Sequence, residues 1–128
     1  MNESEEAAGL APTPGYRYAQ RIGNQLFVAG QVPLDVESRV VGAGNPTAQA
    51  TQCLTNLNIL LEHHKFQLED VRQLVVYVVG GHDNLKLAWS AVTSWFSGEV
   101  PPATLLGVSC LGYPEQLVEI DATVLRMT

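Results

Sequence analysis

The chain has 128 residues, of which 46% are hydrophobic and 16% charged, and seven Lys and Arg against thirteen Asp and Glu give a formal net charge of −6. That length suits a single hydrophobic core, and that composition excludes an intrinsically disordered chain. The few basic residues are scattered, which excludes the clustered cationic footprint of a nucleic-acid binder and argues against an anionic membrane surface as partner.

The stretch Met1 to Glu6 is acidic and lacks the basic start of a signal peptide. Apolar runs such as Leu74 to Val79 fall far short of the ~20 residues that span a bilayer. A cytoplasmic protein is therefore expected. Residues 1–14, acidic and then rich in Ala and Pro, read as a flexible N-terminal arm, and 15–128 as a single domain.

From Tyr16 to Ile22 the chain reads as extended. Gly23-Asn24 is a turn signal, and Gln25 to Ala29 is a strand that Gly30 ends. A loop or hairpin follows over 33–38, then a short strand over Arg39-Val40-Val41. Asn45 caps the first helix and Pro46 suits its first position. Ala50, Leu54, Leu57 and Leu61 fall on one face of it, and it should stop near Lys65. Leu68-Glu69-Asp70 connects to a strand over Val71–Val79, a nearly unbroken β-prone run. Gly80-Gly81 breaks the strand and Asp83 caps a second helix, with Leu85, Trp89, Val92 and Phe96 on one face. Two strands close the chain, Ala103 to Cys110 and Leu117 to Leu125.

The order β-β-β-α-β-α-β-β with right-handed crossovers puts both helices on one face of the sheet. In the last strand Val118, Ile120, Ala122 and Val124 should face those helices. The central strand is apolar on both faces, yet two helices cover only one, so a second copy of the chain is the simplest cover for the other. Cys53 and Cys110 form no CxxC pattern and read as small buried hydrophobes. Of the three histidines, the adjacent His63 and His64 point in different directions on a regular helix. No metal site and no cofactor are expected.

Several pieces together resemble the RidA (YjgF) family of small trimeric proteins. They are Gly15-Tyr16; Gly23 through Pro33; Ala48-Gln49-Ala50 with Asn56-Leu57; Leu68-Glu69-Asp70-Val71; Pro102-Ala103-Thr104; and Val118-Glu119-Ile120-Asp121-Ala122. Their order and spacing carry the resemblance, which spans about Gly15 to Arg126. It implies an α+β, chorismate-mutase-like fold with two helices on one face of the sheet, a homotrimer, and a small-molecule ligand in each cleft between subunits. In the best-known branch it implies hydrolysis of enamines and imines to keto acids and ammonia.

Carried over residue by residue, the resemblance makes Glu119 the catalytic position. It makes Tyr16, Ala29, Gly30, Trp89, Thr104 and Leu106 substrate-binding positions, with Ala29 where a serine is common and Trp89 where an asparagine is expected. The substrate-clamping arginine of the usual Pro-Ala-Arg falls on Thr104. A hydroxyl cannot neutralise a carboxylate, whereas a guanidinium grips it with paired donors. Efficient deamination of 2-imino acids is therefore not expected, and strand alternation points Arg17 away from Tyr16 and from the clamp's place. Lys65 stands where the family favours glycine, at a cost of about 1 kcal/mol if the position is left-handed. Two readings follow. One is a hydrolase acting on an imine, enamine or related carbonyl derivative; the other is a trimer that binds a metabolite without turning it over. Glu119 also reads as a plain inter-subunit acceptor, Tyr16 as packing, and Gly30 as a bulge or close backbone approach.

Overall fold

The structure, a computed structural model, describes residues 1–127. The elements in chain order are α1 (Glu3–Ala7), β1 (Ala19–Ile22), β2 (Gln25–Val28), α2 (Pro46–His63), a 3-10 turn (Leu68–Asp70), β3 (Val71–Val79), α3 (His82–Trp95), β4 (Ala103–Val108) and β5 (Val118–Leu125). The five strands form one sheet in the order β1-β2-β5-β3-β4, with β3 and β4 parallel and the other pairs antiparallel.

Local signals set most boundaries. Asn45 caps α2 by accepting from the Ala48 amide at 3.0 Å, and Pro46 follows at the first helical position. The far end of α2 closes with Lys65 at φ 66°, the Phe66 amide reaching back to the Leu61 carbonyl at 2.8 Å and the Lys65 amide to Glu62 at 3.1 Å. That pattern usually selects glycine, so Lys65 carries the expected left-handed strain. The capping of α3 differs from expectation: Gly81, not Asp83, is the cap residue, and Asp83 lies in the first turn. Asn84 instead ties the helix start to β3 through the Val79 carbonyl at 2.9 Å.

Both long helices lie on one face of the sheet. Leu54, Leu57 and Leu61 of α2 and Ala88 and Val92 of α3 meet Leu74, Val76 and Val78 of β3 and Val118, Ile120 and Val124 of β5 in one core. The alternation expected in β5 is observed, although Ala122 is only partly buried. Several core residues are polar. Gln49 is fully buried, and its Oε1 accepts from the amides of Leu117 at 2.6 Å and Val118 at 3.2 Å, fixing the entry of β5 against α2.

Three expectations are corrected. The strand over 39–41 is reduced to one bridge between Leu34 and Val40, carried by the Asp35 amide on the Arg39 carbonyl at 2.9 Å and the Val41 amide on the Pro33 carbonyl at 2.8 Å, while the Asp35 carboxylate holds the turn by accepting from the Glu37 and Arg39 amides. Cys53 is buried, but Cys110 is exposed, because β4 stops at Val108 on the edge of the sheet. Residues 1–14 are not a free arm: α1 docks on the end of α2. Leu10 and Ala11 are buried, and Asn2 is 4% exposed. Asn2 donates to the Tyr16 carbonyl at 2.9 Å and accepts from the Tyr18 amide at 3.0 Å. The acidic composition hid this, since the contacts are made by single side chains, polar Asn2 and apolar Leu10 against Tyr18 and Leu60, rather than by an apolar stripe.

The opposite face of the sheet is open. Cross-strand partners share a face, so Phe27 and Thr123 lie on it, together with Val75, Thr104 and Asp121, and with Tyr77, Leu106 and Glu119. Phe27 is 50% and Leu106 43% exposed.

Candidate functional site

The candidate site grows from an irregularity at the end of β2. Phe27 pairs with Thr123, and Gln31 then bridges to Ile120, so residues 28–30 stand opposite only 121–122. This is a bulge of one residue, which bends the strand and re-aims its end. Glu119, next on β5, folds its carboxylate against Gly30: a Cβ there would lie 2.5 Å from Glu119 Oε2. A side chain at this position would displace the Glu119 carboxylate, so glycine leaves that carboxylate its place in the cleft.

Tyr16, Gly30 and Glu119 line one cleft of about 490 Å³, together with Pro14, Val32, Gly112, Tyr113 and Gln116. The N-terminal segment positions Tyr16, whose carbonyl accepts from Asn2 and from the Thr13 hydroxyl. Gln116 is buried and donates from Nε2 to the Val118 carbonyl at 3.1 Å and to Glu119 Oε1 at 3.3 Å, while its Oε1 accepts from the Tyr113 amide at 3.2 Å. Gln116 thereby fixes the carboxylate and the loop that walls the cleft.

Burial pushes the Glu119 carboxyl above its ordinary value, the Gln116 hydrogen bond opposes this, and Asp121 adds to it. Burial likewise raises the Tyr16 phenol, reinforced by Tyr113 and Glu119. The cleft thus presents a carboxyl poised to exchange a proton closer to neutrality than a free glutamate, facing a phenol that stays protonated.

The other expected site residues lie elsewhere. Ala29 sits inside the bulge beside the cleft and turns backbone groups to Tyr18 and Gln31. Thr104 and Leu106 are on β4, separated from β5 by β3, so they stand about 10 Å along the open face from their β5 counterparts. Trp89 packs against the core on the helical side and does not line the cleft. Arg17 faces a different cavity with Met1, Asn2, Ser4 and Glu5, as strand alternation requires. Gln116 and Tyr113 were missed; a polar residue three positions before Glu119 carries no signal in sequence until the loop is seen to fold over it.

A family model described as endoribonuclease L-PSP matches residues 7–126. A RutC family protein of Pyrococcus horikoshii is 35% identical over 115 residues, 88% of this chain and 89% of that one. A 2-iminobutanoate/2-iminopropanoate deaminase of Dermatophagoides farinae is 25% identical over 117 residues, 90% of each chain. The crystal structure of a YjgF family member from Mycobacterium tuberculosis is similar with a TM-score of 0.75 at 26% identity, covering 88% of both chains.

Proposed function

Since the chain belongs to the endoribonuclease L-PSP family, the group that includes the RidA (YjgF) proteins, we propose that it works as a homotrimer with a small-molecule site in each cleft between subunits. There Glu119 handles protons in the hydrolysis of an imine, enamine or related carbonyl derivative. The observation that carries this reading is the half-buried Glu119 carboxyl, raised in pKa, pressed on Gly30 and facing Tyr16 across an open cleft.

The chemistry asks for few groups. Protonated Glu119 gives its proton to the imine nitrogen as a water oxygen bonds to the carbon and the C=N π pair moves to nitrogen. The carboxylate so formed takes a proton from the added water. As the C–N bond of the carbinolamine breaks, Glu119 gives its proton to the leaving nitrogen and takes the hydroxyl proton, so ammonia departs and a carbonyl is left. A carboxyl with a raised pKa suits both halves of this exchange. Gln116 holds one oxygen and leaves the other toward Gly30, so the proton-bearing group is oriented before substrate arrives.

Thr104 and Leu106 lie outside their own chain's cleft, and in the proposed trimer a neighbouring copy brings them to it. With Thr104 in the clamp's place the pocket holds no guanidinium for a substrate carboxylate. Hydrogen bonds to charged groups are worth ~1.5–3 kcal/mol, so a 2-imino acid would bind tenfold to a hundredfold more weakly than with the clamp. A neutral or differently charged substrate fits better. The same residue favours a second reading, a trimer that binds a metabolite without turning it over. The ribonuclease chemistry in the family's description finds no support in a chain of charge −6 with scattered basic residues.

The test offers imines, generated by an amino-acid oxidase from many amino acids, to the wild type and to Glu119→Gln. Hydrolysis faster than buffer, reduced about 10²–10⁴-fold in the variant, is the expected result. Rates equal to buffer for every imine would leave the binding reading and remove the catalytic one.

A further inference from the structure

We propose that Glu5, His63 and His64 form a binding site for one zinc ion, which clips α1 to the end of α2. One ligand atom from each of the three residues lies within 4.8 Å of the others. Imidazole nitrogen and carboxylate oxygen are the donors zinc takes, and three protein ligands leave a fourth position for water. Tetrahedral bonds of about 2.1 Å hold ligand atoms roughly 3.4 Å apart, so the set has to contract modestly, within the reach of side-chain rotation.

Adjacent histidines on a regular helix diverge, which is why the pair reads in sequence as no metal site. Here His64 is the C-cap residue, at φ −93° and ψ 10°, and the helix is already giving way to the left-handed Lys65. The two rings meet edge to face with centroids 4.8 Å apart, and both turn toward α1. His64 Nε2 is 2.9 Å from Glu5 Oε2, and His63 Nε2 is 3.0 Å from the Ser4 hydroxyl. That hydroxyl donates to the other Glu5 oxygen at 3.1 Å.

The charge balance points the same way. Glu5 is 7% exposed, and its one ion-pair partner among the described residues is His64. A carboxylate buried to this degree gains from a cation beside it, and a divalent ion held between the Glu5 oxygen and the two imidazoles supplies that charge. A cavity of about 450 Å³ lined by Ser4 and Glu5 gives an ion a way in. The ligands are separated by about sixty residues of chain, so binding would close a long loop and stabilise the docked α1. The site is remote from Glu119, but Asn2, just before α1, holds the Tyr16 carbonyl. The clip therefore bears on the segment that enters the cleft.

The experiment titrates the chelator-treated full chain with zinc chloride by calorimetry, and measures amide exchange over residues 3–10 with and without zinc. Expected are one ion per chain, slower exchange over 3–10, and affinity lowered about tenfold or more in each of Glu5→Gln, His63→Gln and His64→Gln. His82→Gln, on α3, should bind as the wild type does. Far-UV circular dichroism checks that each variant folds. Absence of binding heat, unchanged affinity in folded His64→Gln, or zinc binding that leaves exchange over 3–10 unaltered would overturn the proposal; the last two need only one folded variant or the wild type.

Discussion

The two faces of the sheet obey the same alternation and end in different states. On the covered face Leu74, Val76 and Val78 are fully buried beneath α2 and α3. On the open face their neighbours Val75, Tyr77 and Val79 are only half-buried, and Phe27 and Leu106 are exposed. Residue types along β3 hardly change from one face to the other, so the exposure comes from lack of a covering layer and not from polar design. Contiguous exposed apolar surface of this kind marks an interaction face. The open face is also where Glu119, Thr104 and Leu106 lie. One uncovered surface therefore accounts for both the proposed assembly and the proposed site between copies.

Substitutions break this comparison most sharply when they put charge on the open face. Val75→Glu places a carboxylate between Asp121 and Thr104. It should convert the proposed trimer to monomer in sedimentation velocity while far-UV dichroism keeps its helical signal. Leu74→Ala, one residue away on the covered face, should act in the opposite sense. It should cost about 2–5 kcal/mol in chemical denaturation through the cavity it leaves and keep the assembly state.

Thr104→Arg probes the site without touching the core, because Thr104 is exposed on edge strand β4. If the rest of the pocket is intact, it should raise kcat/KM for 2-imino acids about tenfold to a hundredfold, the worth of a charge-assisted hydrogen bond. The smallest effect concerns pH. The folded-state pKa of Glu119 lies above its unfolded value. Its contribution to stability is therefore full below the unfolded value and lost as pH rises through the folded one. Glu119→Gln should be more stable than the wild type at neutral pH, because the wild type must ionise a half-buried carboxyl there. That difference should vanish below about pH 4, as thermal melts across pH would record.

Much of the fold was legible because single local rules decided it: the Asn45 cap with Pro46, the unbroken β-prone run of β3, and the period-two pattern of β5. Where the competing force was a polar contact over long range, sequence was silent. Gln49 and Gln116 look like surface residues until β5 and its preceding loop close over them. Asn2 looks like part of a free arm until it meets Tyr16 and Tyr18. In the site, Tyr16, Gly30 and Glu119 came together as the resemblance implied, because one bulge and one hairpin gather them within a chain. Thr104 and Leu106 did not, because β3 stands between their strand and β5. Trp89 lies on the helical side, packed against the core.

Sedimentation velocity of the wild type at micromolar concentration tests that shared surface most directly. The proposed assembly predicts a single species of three chains, and a monomer would contradict it, leaving the open face of the sheet and the site between copies without a partner.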